Sequence, residues 1–314
     1  MKNLKTKLTI IGLSFLSITA FAQDYIYKGV KNVEATIGMN NSEGDSGQET
    51  VSADCYDPAN IGQRISAQGC DGLLIVDNNS LRQMVRNNEN YSDTNIFTGQ
   101  VTDMSYLFCN FYLSSPPYDK CTLKEPIYSI LNWNTENVKT MEMMFRDSNT
   151  NINISEWDLT SLESIKYMFH SASNFNQSLN NWDVSNVKNM AGAFYNASSF
   201  NGLLNNWDTS NVNSMYNMFN GASSFNQPLN NWKVNNVNRF HDMFNGASSF
   251  NQPLNNWDLI NATMLSNMFQ GAINFNQNIS EWCVPTISTK PSRFDENSGF
   301  ENQTQLQPNW GSCP

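Results

Sequence analysis

The sequence predicts an α/β repeat solenoid, a stack in which short strands and short helices alternate, with a cap at either end. Two aromatic ladders and a pair of alternating hydrophobic periods point to it. Trp133, Trp157, Trp182, Trp207, Trp232, Trp257 and Trp282 are separated by 24 residues once and then repeatedly by 25. A constant period of roughly 20 to 50 residues marks a stacked array. Phe145, Phe169, Phe194, Phe219, Phe244 and Phe269 each follow a Trp by twelve residues, so the two ladders keep phase. A unit this short cannot bury its own apolar stripe, and its stability has to come from its neighbours.

Inside one unit the two periods follow one another. Val187, Met190, Ala193 and Phe194 fall on one stripe of a helix of about two turns, which Ser185 can cap. Gly221, Gly246 and Gly271 come two residues after Phe, where a helix closing through a left-handed residue favours glycine. Leu229, Trp232 and Val234 then read as an extended segment able to pair with its counterpart one unit away. Pro228 and Pro253 begin such segments, where a missing donor does least harm. Asn176, Asn201, Asn226, Asn251 and Asn276 precede them in register, and their amides suit turn backbone that stacking would bury.

Along the chain, Lys2, Lys5 and Lys7 precede an apolar run from Leu8 to Phe21, and Ala20-Phe21-Ala22 has the form of a signal-peptidase site. Residues 1–22 are therefore expected to be a leader cleaved after Ala22, which places the protein in the secreted or cell-surface class. That run is shorter than the roughly 20 residues a membrane span needs, no later run replaces it, and Gln23 stands where a lipid anchor requires Cys. No membrane insertion is expected. Residues 23–69, with NNSEGDSGQET, read as a flexible N-terminal segment that also carries a disulfide loop. In 70–95, LLIVDNNSLRQMVRNN reads as strand, cap at Asn79 or Ser80, then helix, an N-terminal cap for the stack. The solenoid is expected over 96–282. Its first unit has Val101, Met104, Leu107 and Phe108 in place but Ile96 where Trp belongs, and an insertion near 109–121 follows it. Residues 283–314 form the expected C-terminal cap. Six Cys in an exported chain suit disulfides. Proximity in the repeat arrangement pairs Cys55 with Cys70, Cys109 with Cys121, and Cys283 with Cys313.

FNQSLNNWDVSNVKNMAGAF, FNQPLNNWKVNNVNRFHDMF and VTDMSYLF resemble the repeats of BspA-family leucine-rich repeat surface proteins, whose pattern is FNQ-x-(L/I)-xxWDVSNVxxMxxMF. The resemblance extends over about residues 70–314, and WCVPTISTKPSRF…PNWGSCP is similar to that family's closing segment. It implies a leucine-rich-repeat-like solenoid displayed outside the cell, with adhesion to proteins or other cells as the activity.

Charge and side-chain chemistry narrow the function further. The net charge of −10 becomes −13 once the three leader lysines are removed, which makes nucleic acid a poor partner. His170 and His241 occupy different positions of their units, and no zinc-ligand spacing occurs, so neither a metal nor another cofactor is expected. Asp158, Asp183, Asp208 and Asp258 recur after Trp, with Lys233 interrupting the series. They either accept turn N–H bonds or attract a hard cation such as calcium. Repeated copies of one environment do not make an acid and base pair. The Trp ladder reads as core, with a sugar-stacking platform as the alternative. No nucleophile arrangement is recognisable, and catalysis is not expected. The expected role is recognition of an extracellular protein or glycan; the alternatives are a passive spacer and, behind it, a carbohydrate-active enzyme. Lys233, Arg239, His241 and Asp242 lie in one unit that departs from the Asn and Asp norm, and this basic island is the candidate ligand-binding site.

Overall fold

A computed structural model describes residues 51–109, 126 and 128–314, all within the compact unit Glu49–Pro314. The expected leader at 1–22, the lead-in up to residue 50, and Cys121 with nearly all of the expected insertion lie outside the described residues. Two 3-10 turns, Ala53–Tyr56 and Pro58–Asn60, open the described chain, begun by Ser52 and Asp57, whose side chains accept the Asp54 and Ala59 N–H groups. Cys55 is bonded to Cys70, and that disulfide packs with Ile75 and Phe97 in a small satellite core. Strand β1 (Leu74–Ile75) pairs in parallel with β2 (Ile96–Phe97), Leu74 opposite Ile96. Between them runs helix α1 (Asn78–Arg86), which buries Leu81, Met84 and Val85. Its cap is Asp77, not Asn79 or Ser80. The Ser80 N–H donates to Asp77 Oδ1 at 2.8 Å and the Asp77 N–H donates back to Ser80 Oγ at 2.8 Å, a reciprocal capping box.

Beyond this point the expected α/β solenoid of strands and helices is not formed. Among the described residues α1 is the one α-helix and β1 and β2 the two strands, while the repeats are built from turns. The cause lies in the segment read as a helix. Each unit there places two residues in the left-handed region four apart: Gly192 and Asn196, Asn217 and Gly221, Asp242 and Gly246, Asn267 and Gly271. A left-handed residue cannot continue a right-handed helix. The N–H groups consequently alternate in direction. Ala193, Tyr195 and Ala197 donate three residues back, at 3.0 to 3.2 Å. Met190, Gly192, Phe194 and Asn196 donate instead to Ser214, Tyr216, Met218 and Asn220 of the next unit, at 2.6 to 3.0 Å. Successive turns thus produce the helix-like apolar spacing while half of the donors tie one unit to the next. Gly221, Gly246 and Gly271 are left-handed, as their spacing suggests, but they close turns rather than helices.

The roles of the two segments are exchanged with respect to expectation. Parallel bridges run Asp103–Thr140–Ser164–Asn189–Ser214–Arg239–Met264, one residue per unit, along the segment read as helix. The segment around Leu229–Val234, read as a strand, is a corner: the Trp232 N–H donates to the Leu229 carbonyl at 3.0 Å and Val237 to Val234 at 2.9 Å.

The core between corner and ladder is a set of aromatic rows. All seven ladder Trp are buried, from Trp282 at 0% exposed to Trp133 and Trp157 at 4%. Trp182, Trp207 and Trp232 stack with ring centroids 6.3 and 5.9 Å apart and nearly parallel planes. Each indole also answers a polar requirement. Trp207 Nε1 donates to the Leu179 carbonyl of the preceding unit at 2.8 Å, Trp232 to Leu204 at 3.1 Å and Trp257 to Leu229 at 2.9 Å. The buried N–H is therefore satisfied, and Trp rather than Phe stitches adjacent units together. Phe194, Phe219, Phe244 and Phe269 form a second row at 5.5 to 5.6 Å, and Phe200, Phe225, Phe250 and Phe275 a third at 5.7 to 5.9 Å. Phe294 and Phe300 meet Phe269 edge-on, at 86° and 88°, which ends the face-to-face stacking. Cys283 is bonded to Cys313, fastening the closing segment beside them. Cys109 is also in a disulfide.

Candidate functional site

Two sides of the stack differ in kind. On the corner side the same residue does the same work in unit after unit. Asp158, Asp183, Asp208 and Asp258 each accept the N–H two residues on, from Thr160, Ser185, Ser210 and Ile260, at 3.0 to 3.1 Å. This is the turn role, and it occupies the carboxylates locally. Asn176, Asn201, Asn226 and Asn251 each accept at Oδ1 the backbone N–H of the equivalent Asn one unit on, at 2.8 to 3.0 Å. Asn186, Asn211, Asn236 and Asn261 donate Nδ2 to a carbonyl of the preceding unit, at 2.6 to 2.8 Å.

The residues expected to bind ligand fall into two places. Lys233 stands on the corner side, where its Nζ lies 3.4 Å from Asp208 Oδ1, both side chains being exposed. Hydrogen bonds from Ser210 hold the Asp208 carboxyl below the usual carboxylate range against the opposing effect of burial, and the Lys233 ammonium adds to them. Arg239, His241 and Asp242 stand together on the ladder side. Arg239 is exposed between Ser214 and Met264 in the bridge series. The His241 ring stacks on Tyr216 with centroids 4.8 Å apart, and burial pushes its pKa down, opposed by the Asp242 carboxylate and assisted by the Arg239 charge. Asp242 has a left-handed backbone, and its Oδ1 accepts from Asn245 and Asn267 at 2.9 and 3.0 Å. The Trp row, in contrast, offers no face to a sugar.

On the ladder side the outward residues change from unit to unit. Asp103, Thr140, Ser164, Asn189, Ser214, Arg239 and Met264 form one row, and Ser105, Glu142, Lys166, Ala191, Tyr216, His241 and Ser266 the next; both face outward except at the buried Ser105, Ala191 and Ser214. The small residues Ala191 and Gly192 leave room for the Tyr167 ring, which lies where a Gly192 Cβ would be and reaches Tyr216 edge-on at 6.3 Å. Burial and the Tyr216 hydroxyl push the Tyr167 phenol up to about 12. His170 stacks on Tyr195 at 4.7 Å, and burial, reinforced by Arg146, brings it down to about 4 against the pull of Asp147. At the first units a groove of about 1080 Å³ is lined by Arg82, Arg86, Tyr106, Lys139, Glu142 and Met143 among others. Arg82 is held there by the Ser105 carbonyl at 2.6 Å and faces Asp103 at 3.9 Å. Tyr167, Tyr216, Ser214 and Met264 are the ladder-side residues that the sequence pattern alone does not single out. Their signal is the change of residue type between equivalent positions of successive units, Ser214 with Arg239 and Met264, Tyr216 with His241 and Ser266, and Tyr167 with Gly192.

Among the described residues no three His, Cys, Asp or Glu side chains come together as a metal site would require, and no helix is long and apolar enough to cross a membrane. No curated protein and no solved structure matches the chain. The model of a family described as Mycoplasma protein of unknown function, DUF285, matches residues 79–205 and again 201–310, well over half of the chain, and the protein belongs to that family.

Proposed function

We propose that the protein is a secreted or cell-surface binding protein, acting by recognition rather than catalysis, whose ladder side contacts an extracellular protein or glycan. The resemblance of its repeats to those of BspA-family surface proteins and the leader-like residues 1–22 support the location. The single observation that carries the binding role is the contrast between the two sides. Corner residues repeat because each satisfies neighbouring backbone, whereas the outward ladder residues run from Asp103 through Asn189 to Arg239 and Met264. A passive spacer has no reason to gather its variation on one side.

The test is capture of partners from extracellular matrix proteins and a glycan array by the parent chain, by Arg239→Asn/His241→Tyr on the ladder side, and by Lys233→Asp on the corner. Loss of a captured partner with the ladder variant, and retention with Lys233→Asp, is the expected pattern. His241→Tyr takes the residue of the equivalent position, Tyr216, and keeps a ring for the stack, so a thermal melt within a few degrees of the parent makes the loss assignable to recognition. Capture of nothing by the parent chain would leave the spacer reading in place.

A further inference from the structure

In the first units the outward row has a backbone task. Asp103 Oδ1 accepts the Ser105 N–H at 2.7 Å, Thr140 Oγ1 accepts Glu142 at 3.4 Å, Ser164 Oγ accepts Lys166 at 3.4 Å and Asn189 Oδ1 accepts Ala191 at 3.1 Å. A short polar side chain thus covers the N–H two residues on. The next three units abandon this device. Arg239 and Met264 carry no acceptor that could serve, and Ser214 Oγ does not take the role. The N–H groups of Tyr216, His241 and Ser266, equivalent by repeat to the covered ones, find no acceptor among the described residues. They form a row of donors on adjacent units.

Two further polar atoms at the same place are without partners. Ser214 is 7% exposed and its Oγ, like His241 Nδ1, is buried with no hydrogen bond. Burying a polar group without a partner is costly, so these two atoms mark a place where the chain's own packing leaves hydrogen-bonding capacity unused. Arg239 stands between them, exposed and outside every ion pair formed by the described residues. Asp242, the carboxylate that acts on His241, keeps its charge, but its Oδ1 already accepts from Asn245 and Asn267 and it makes no ion pair with Arg239. Donors and one guanidinium are therefore gathered on a chain of net charge −10.

We infer that Tyr216, Arg239, His241 and Ser266 form a binding site for a carboxylated glycan of the uronic acid class. The inference rests on the ladder side being the binding side and names the chemistry recognised there. The carboxylate of one sugar sits at the Arg239 guanidinium and the His241 N–H, and hydroxyl oxygens of the flanking sugars take the Tyr216 and Ser266 N–H groups. Spacing favours a glycan over an acidic peptide. Adjacent units repeat at 4.8 Å between the Tyr216 and His241 rings, close to the length of one pyranose in a polyuronate chain. An extended peptide places side chains on one face about 6.6 Å apart, out of step with the units.

Calorimetric titration of the full chain with a short oligogalacturonate, its neutral methyl ester and a polyglutamate peptide tests the site. The acid should bind and the ester should not. Met264→Asn copies the side chain at Asn189, covers the Ser266 N–H without changing charge, and should weaken binding about threefold to tenfold. Arg239→Asn removes the cation and covers the His241 N–H, and should weaken it about tenfold or more. Both should melt within a few degrees of the parent, because the Asn189 unit already accommodates Asn at this position. Equal binding of the ester, tighter binding of polyglutamate, indifference to Met264→Asn, or no binding of the acid would each overturn the assignment. If the acid fails while matrix or glycan capture still depends on Arg239 and His241, this ligand class is wrong and the binding role stands. If capture fails as well, both fall.

Discussion

Replacing Trp207 by Phe separates the two things a ladder indole does. Trp207 is 3% exposed, stacks between Trp182 and Trp232 at 6.3 and 5.9 Å, and donates Nε1–H to the Leu179 carbonyl at 2.8 Å. Phe keeps a stacked ring but has no donor. That Leu179 carbonyl also accepts the Trp182 backbone N–H at 3.0 Å, so it is not left bare, and the lost bond should cost about 1 kcal/mol. The smaller ring adds roughly 1 kcal/mol of poorer packing, for a total of about 2 kcal/mol. Trp207→Ala removes the ring as well and should cost about 3–5 kcal/mol. Two aromatic contacts worth about 0.5–1.5 kcal/mol each are then missing from the row. Urea denaturation followed by far-ultraviolet circular dichroism measures both. If Trp207→Phe is neutral, the indole donor contributes nothing and the stitching role of Trp is refuted; if it equals Trp207→Ala, stacking contributes nothing.

Three other outcomes are expected. Gly192 is left-handed and lies beneath the Tyr167 ring, so Gly192→Ala should cost more than about 1 kcal/mol, while Tyr167→Asn/Gly192→Asn, which copies the unit at Asn217, should recover most of it. An equal loss in the pair would show that Tyr167 is not what fills this space. His170 titrates at about 4 in the folded chain against 6.5 when exposed, and His241 is shifted the same way. The unfolded chain then binds more protons, so stability is complete above about pH 6.5 and declines as pH falls toward about 4. In His170→Asn/His241→Tyr, residues taken from equivalent positions, thermal melts should lose that decline; an unchanged profile would assign it to the carboxylates instead. Finally, Cys283→Ser/Cys313→Ser opens a closure with a sequence separation of 30 residues, for a loss of about 3–4 kcal/mol. Hydrogen exchange should show protection lost first over 284–314, and a uniform loss across Trp157–Trp232 would contradict it.

The period and the buried rows are legible in the sequence, because large aromatic rings recurring every 25 residues in units too short for a core of their own can leave water only by stacking on their counterparts. The backbone is not legible from the same pattern. One apolar residue every three or four positions satisfies an α-helix and equally a run of turns with bonds three residues back, and hydrophobicity cannot tell them apart. The distinction is written in different residues. Asn217 with Gly221, Asp242 with Gly246 and Asn267 with Gly271 pair residue types that tolerate the left-handed region four positions apart, twice too often for a helix with a single closing glycine.

The candidate site is half legible for a related reason. Arg239, His241 and Asp242 stand out as departures from the repeat, and the fold keeps them together. Lys233 stands out equally, yet its neighbour across the stack is Asp208, and which side of a turn a residue faces cannot be decided before the turns are known. The same knowledge changes what Met264 means. Taken singly it is one more apolar side chain; in the bridge series it occupies the position where Asp103, Thr140, Ser164 and Asn189 cover a backbone N–H, and it leaves Ser266 uncovered. In a repeat array, a position that satisfies backbone is held to a few residue types as long as nothing else satisfies it. Where three successive units relax that constraint on one side, beside a buried Ser214 hydroxyl without a partner, the physical reason to look for a ligand is the uncovered donor rather than the unusual residue that uncovers it.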